Sequence, residues 1–264
     1  YFQITIFTQV YSKKFYKPAY RILGGRLAES RRFPFMVSIQ YRWPDFDDET
    51  IIMPFCGGSI IGNKWILTAA HCTKDINDLY VKAGAIDAEE DHEEHAQIVG
   101  IKEAHKHPLF TEKGGINKFD IALLELRKKL QFNEFVQPIH LPPENYMPIG
   151  YGDIIGWGTT DPTAQLSSQK LLQAHVKLMP IGECQKIYEK VTNNHICPGE
   201  IGKSSCAGDS GGPFIQRIRG RKCVVGVTSF GKRPCGKAPE AYMRVSAFVN
   251  EFILPTIQNN TDDN

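Results

Sequence analysis

The octapeptide Cys206-Ala207-Gly208-Asp209-Ser210-Gly211-Gly212-Pro213 constrains this chain more than any other stretch. Glycine takes φ > 0 at little cost and lets another backbone come close. A serine set among glycines can therefore stand exposed on a sharp turn with backbone N–H groups converging beside it. A nucleophilic hydroxyl needs that setting. Alone, a Gly-Asp-Ser-Gly run is more often an ordinary turn, so the reading depends on what accompanies it.

Two segments accompany it. Leu67-Thr68-Ala69-Ala70-His71-Cys72 follows the apolar, strand-like run from Ser59 to Ile66. Asp120-Ile121-Ala122-Leu123-Leu124-Glu125-Leu126 opens an apolar run with an acid. A lone histidine is usually structural, and an aspartate before a strand is usually a turn or cap residue. In the chain order His71, Asp120, Ser210, however, the three segments together resemble the trypsin/chymotrypsin-like serine proteases, over about residues 22–257. The resemblance implies an all-β fold of two six-stranded antiparallel β-barrels with a C-terminal helix. The barrels are expected at about residues 22–135 and 136–250, after a propeptide remnant at 1–21 and before a polar tail at 258–264. It also implies roles: Ser210 as nucleophile, His71 as general base and then acid, Asp120 as the group orienting the imidazole. The N–H groups of Gly208 and Ser210 would form the oxyanion hole.

Composition agrees with one large all-β domain or two small ones. The chain has 264 residues, of which 42% are hydrophobic and 23% charged. Short β-branched and aromatic runs, such as Val37 to Tyr41, Asp153 to Trp157 and Val224 to Thr228, alternate with glycine and proline turn signals. The net charge of +2 offers no reason to propose nucleic acid or membrane as a partner.

Of the seven cysteines, the resemblance pairs Cys56 with Cys72, Cys184 with Cys197 and Cys206 with Cys235, and leaves Cys223 over. Spacing alone cannot assign connectivity. Cys223 reads as a buried free thiol, with a bond to another chain as the alternative. Disulfides imply secretion to an extracellular location. No C-x₂-C pair occurs, so zinc is not the expected use of these cysteines. The Asn259-Asn260-Thr261 triplet is a glycosylation sequon.

Arg21-Ile22-Leu23-Gly24-Gly25 resembles the family's activation site. Cleavage after Arg21 would free the α-amine of Ile22 to pair with Asp209, since a buried carboxylate needs a partner. The chain as it stands is then expected to be an inactive zymogen, activated by a trypsin-like protease.

The specificity pocket reads less simply. Ser204, followed by Ser205, stands where trypsin has its aspartate, which resembles chymotrypsin and a preference for large aromatic or Leu side chains. Ser229 and Gly231 would form the wall. Glu240 stands where the family usually has glycine, which resembles cathepsin G and implies tolerance of Lys and Arg. A buried carboxylate without a partner shifts its pKa upward or attracts a cation, and a substrate Lys or Arg could supply one.

Other charged segments are weighed as surface. The loop from Trp43 to Thr50 is acidic and reads as solvated. Asp87 to His95 lies where some relatives bind calcium, but Ala85 replaces the first usual glutamate, which weighs against calcium. His92-Glu93-Glu94-His95 misses the i, i+4 spacing of a zinc motif. His105 and His107 read as solvated. Val245, Phe248, Val249, Phe252 and Ile253 recur at helical spacing, as a C-terminal helix packed on the second barrel. The expected function is a secreted serine endopeptidase, without metal or cofactor. Its expected partners are polypeptide substrates, the activating protease and protein protease inhibitors. The alternatives are a catalytically silent homologue acting as a binding module, and a zinc hydrolase.

Overall fold

The computed structural model describes residues 22–44, 50–111, 118–159 and 168–260. Arg21 and the rest of 1–21, most of the acidic 43–50 loop, and the tail from Thr261 with the end of the sequon lie outside the described residues.

Six strands close the first barrel: β2 (Met36–Pro44), β3 (Thr50–Gly62), β4 (Trp65–Thr68), β5 (Leu79–Ala83), β6 (Gln97–Lys106) and β7 (Ala122–Leu126), in the order β2-β3-β4-β7-β6-β5. The second contains β8 (Tyr151–Gly156), β9 (Leu172–Met179), β10 (His195–Pro198), β11 (Pro213–Ile218), β12 (Arg221–Phe230) and β13 (Ala241–Arg244), and closes where β8 pairs with β9. Every pairing within the two barrels is antiparallel. Closure leaves no unpaired edge for aggregation. The two-residue β1 (Arg26–Leu27) comes first among the described strands yet pairs with β9 of the second barrel.

The strands form where the sequence supplies period-two burial. In β9, Ala174, Val176 and Leu178 face inward while His175 and Lys177 face out. β4 and β7 are buried throughout, and their Trp-Ile-Leu-Thr and Ala-Leu-Leu-Glu-Leu sequences lack the polar alternation of a half-exposed strand. One core cluster joins first-barrel residues such as Ile39, Ile66 and Leu123 to Ile215, Val224, Val227 and Met243 of the second. Another, in the second barrel, includes Ile22. A third surrounds α1 (Ile181–Ile187) and the Cys184–Cys197 disulfide. Among the described residues no helix is long and apolar enough to cross a membrane.

The described residues end in a 3₁₀ turn at Val245–Ala247, a π-helical turn at Val249–Ile253 and α2 (Leu254–Asn259). This segment does not rest on the second barrel alone, as its apolar periodicity suggests. Phe248 and Phe252 pack against His107, which also stacks on Phe119, and both phenylalanines join the cluster shared by the barrels. His107 is therefore buried rather than solvated. His105 is largely covered too, beside Trp65. Histidine offers an apolar ring body as well as two nitrogens, and here the ring decides.

Candidate active site

His71 sits in a 3₁₀ turn, Ala70–Cys72, immediately after β4. The disulfide between Cys72 and Cys56 of β3 fastens that turn to the barrel. Asp120 lies two residues before β7, the strand that pairs with β4. That register brings histidine and aspartate together. His71 Nδ1 is 2.7 Å from Asp120 Oδ2, and the His71 backbone N–H donates to Asp120 Oδ1 at 2.9 Å. Asp120 is 0% exposed. Against a carboxylate, Nδ1 must carry the proton, which leaves Nε2 as the basic nitrogen of the ring. Cys56, His71 and Cys72 are close enough together to suggest metal ligands, but the two sulfurs are bonded to each other.

A further hydroxyl holds Asp120. Ser229 Oγ donates to Asp120 Oδ2 at 2.6 Å. Ser229 sits at a register shift between Thr228 and Phe230 in the β12–β13 pairing. Bulges of this kind re-aim a side chain beside functional sites. The sequence placed Ser229 in the pocket wall and did not foresee this bond.

Ser210 reaches the same region through backbone contacts. Its carbonyl accepts the Gly57 N–H at 2.8 Å. Gly211, at φ +75°, lies so close that an added Cβ would stand 2.2 Å from Thr68 Oγ1 and 2.6 Å from the Gly57 carbonyl. Thr68 is three residues before His71, so the octapeptide is pressed onto the strand end that delivers the imidazole. Gly208 takes φ +91°. The N–H groups of Asp209, Gly211 and Gly212 donate to the carbonyls of Cys206, Thr228 and Asp209. Among the described residues, nothing takes up the N–H of Gly208 or Ser210. Two neighbouring donors without an internal acceptor can receive a developing negative charge.

Asp209 is turned inward and 2% exposed. Its carboxylate accepts the N–H of Gly158 at 2.8 Å and of Cys206 at 2.9 Å. Burial nevertheless dominates and raises its pKa to about 7. Ile22, the residue after the expected cleavage point, is fully buried in the second-barrel core with φ +23°.

The pocket residues form a connected network. Ser205 Oγ donates to Glu240 Oε2 at 2.8 Å and receives the Tyr242 hydroxyl at 2.9 Å. Ser204 is buried, and among the described residues its Oγ has no hydrogen-bond partner. The Cys206–Cys235 disulfide joins the segment carrying these serines to the loop after Gly231. Glu240 is 3% exposed on its side chain but is not the partnerless carboxylate that the sequence suggested: Arg233 Nη1 lies 2.8 Å from its Oε1. The sequence reading missed Arg233 altogether. Its only signal was a basic residue between Gly231 and Cys235, which spacing cannot direct toward Glu240.

The loop considered for calcium holds a cation of the protein's own. The buried Lys82 ammonium donates to the carbonyls of Asp87, at 2.8 Å, and Glu90. Glu93 accepts the N–H groups of Ile86 and Asp87, while Arg42 pairs with Asp91 and Lys170 with Asp87. Cys223 is a free, buried thiol, bridged through its backbone to His140.

The Trypsin family matches residues 22–252. The chain is 33% identical to venom serine protease Bi-VSP of Bombus ignitus, across 90% of this chain and 69% of that protein. It is 33% identical to kallikrein 1-related peptidase b26 of Mus musculus, across 91% of each chain. It is 35% identical to coagulation factor IX of Oryctolagus cuniculus, across 87% of this chain and 82% of that protein. The chain belongs to the Trypsin family and is a serine endopeptidase of the trypsin/chymotrypsin-like type.

Proposed function

We propose that this chain is the zymogen of a secreted endopeptidase, activated by cleavage after Arg21 and acting through an acyl-enzyme. The observation that carries the reading is the His71–Asp120 pair, with a fully buried carboxylate and Nε2 left as the basic nitrogen. Ser210 Oγ attacks the scissile carbonyl carbon as its proton passes to His71 Nε2. The carbonyl oxygen becomes an oxyanion facing the Gly208 and Ser210 N–H groups. His71 then gives the proton to the amine, and the C–N bond breaks. Water repeats the sequence on the acyl ester and releases the acid and free Ser210. Asp120 keeps the imidazole in one tautomer and stabilises its protonated form.

Asp209 supports the activation step. A buried carboxylate with a pKa raised to about 7 lacks a matched positive charge, and the α-amine of a cleaved Ile22 supplies one. Positive φ is unfavourable for a β-branched residue, and cutting the bond before Ile22 removes that restriction. An arginine at the cut calls for a trypsin-like activating protease. Secretion fits three disulfides and relatives named for venom and coagulation. Polypeptides are the substrates and protein inhibitors the regulators. Ser204 supports a chymotrypsin-like preference for Phe and Leu. Tolerance of Lys and Arg through Glu240 extends only as far as Arg233 yields its place.

The test compares the chain before and after treatment with immobilised trypsin, together with Ser210→Ala. Hydrolysis of Phe and Leu peptide substrates should appear only in the cleaved wild type. Equal hydrolysis by cleaved Ser210→Ala would refute the reading.

A further inference from the structure

We infer that Arg233 is the specificity-determining residue of the substrate pocket: its guanidinium is a resident cation on Glu240, so the pocket takes apolar side chains and turns away Lys and Arg. The inference rests on the endopeptidase reading and deepens it.

Both carboxylate oxygens of Glu240 are already engaged within the protein. Oε1 lies 2.8 Å from Arg233 Nη1. Oε2 accepts the Ser205 hydroxyl at 2.8 Å, and Ser205 in turn is held by Tyr242 at 2.9 Å. A substrate cation would have to displace an intramolecular partner, which competes at the high effective concentration of a tethered group. It would also have to break a charge-assisted hydrogen bond on an almost fully buried acid. An apolar side chain meets neither cost.

The position of Glu240 explains why the acid matters at this point. A Cβ built on Gly231 would stand 2.5 Å from Glu240 Cγ and 2.7 Å from its Oε1. The glutamate therefore lies directly against the wall residue. Ser204 is 0% exposed, and among the described residues its Oγ is unpartnered. The floor that a substrate meets is then the Arg233–Glu240–Ser205 network, with Ser204 sealed off. Arg233 is 54% exposed on its side chain and is fixed near the Cys206–Cys235 disulfide by a 3.1 Å contact to Cys235 Sγ. A half-exposed guanidinium can be replaced by a neutral side chain without leaving a hole in the core.

The experiment uses the trypsin-cleaved full chain, freed of trypsin, with cleaved Ser210→Ala as the control for carry-over. The kcat/KM for a Lys substrate is divided by that for a Leu substrate. Arg233→Gln should raise this ratio about tenfold or more, because Glu240 is left without a cation and the substrate can provide it. Adding Glu240→Gln to Arg233→Gln should abolish the gain. Benzamidine, a small aromatic cation, gives an independent reading by calorimetry on the same proteins: its affinity should rise by a similar factor, about tenfold, in Arg233→Gln and fall back in the double variant. A wild type that already favours Lys, or an Arg233→Gln protein that cleaves Leu substrates with an unchanged ratio, overturns the inference while the endopeptidase reading stands. If no substrate is cleaved by any of the proteins, the endopeptidase reading fails, and benzamidine decides the role of Arg233: tighter binding in Arg233→Gln sustains it, and equal binding overturns it. Should Arg233→Gln not fold, Glu240→Gln alone decides: a fall in the Lys-to-Leu ratio of about tenfold would mean that Glu240 serves substrate cations directly and would overturn the inference, whereas a ratio within about twofold of wild type sustains it.

Discussion

Ser229 and His71 share one oxygen: Asp120 Oδ2 lies 2.6 Å from the Ser229 hydroxyl and 2.7 Å from His71 Nδ1. Both donors hold that one oxygen, and the His71 backbone N–H holds the other. The orientation of Asp120 is thus set by both barrels, since His71 follows β4 and Ser229 lies in β12. Ser229→Ala should lower kcat by about tenfold, in line with losing one hydrogen bond to a charged group. Asp120→Asn should lower it by about 10⁴, as is typical when this tautomer control is lost. Steady-state kinetics on a Leu peptide substrate checks both. An undiminished kcat in Ser229→Ala would assign that hydroxyl to packing alone.

Gly211 is irreplaceable for two reasons at once. Its φ is +75°, and a Cβ would strike Thr68 Oγ1 and the Gly57 carbonyl. Gly211→Ala should cost about 2–4 kcal/mol, combining the left-handed backbone with overpacking. Gly220 shares the positive φ, at +81°, but has open space around it. Gly220→Ala should cost only about 1 kcal/mol. Thermal unfolding of the pair separates clash from conformation, and equal losses would contradict the packing argument.

Lys82 occupies the centre of the 87–93 loop, its ammonium on two loop carbonyls. Lys82→Met should destabilise the fold by about 3 kcal/mol, because it removes the donor on the Asp87 and Glu90 carbonyls and takes an internal charge from among acids. Excess EDTA should leave the wild-type melting temperature unchanged. A drop in that temperature on chelation would show that the loop depends on a metal as well.

Asp209 makes the uncut chain sensitive to pH. Burial raises its pKa from 3.8 to about 7. The folded state therefore holds a proton that the unfolded state gives up, and stability falls as pH rises between those two values. The displacement corresponds to about 4 kcal/mol in total at about 1.4 kcal/mol per tenfold change in proton affinity. Relative to Asp209→Asn, the uncut protein should lose stability between about pH 4 and pH 7 and change little above that. Chemical denaturation across this range checks the sign. On the proposed pairing of the Ile22 α-amine with this carboxylate, the trypsin-cleaved protein should not show the decline.

Much of the site could be read in the order of residues because local chemistry demanded it. Glycines must flank Ser210 where the backbone turns and packs closely. An apolar run must precede His71, because β4 is buried on both faces. The β-branched and aromatic runs Val37 to Tyr41, Asp153 to Trp157 and Val224 to Thr228 were legible as strands and coincide with parts of β2, β8 and β12, whereas β9 was not read. Side chains with two characters were harder to read. His107 is titratable on paper but lies among phenylalanines. Phe248 and Phe252 show a helical period without showing which barrel receives them.

The family and the two-barrel fold were legible in the sequence through a resemblance carried by motifs that lie along the chain, and the same motifs named the candidate nucleophile segment. Tertiary structure decided what the charged residues do. Glu240 meets Arg233 rather than standing empty, Lys82 fills the loop considered for calcium, and Ser229 reaches Asp120 across 109 positions. The reason is physical: a buried charge is governed by whichever counter-charge or donor folding brings within about 3 Å, and that distance is a property of strand register and bulges, not of spacing in sequence.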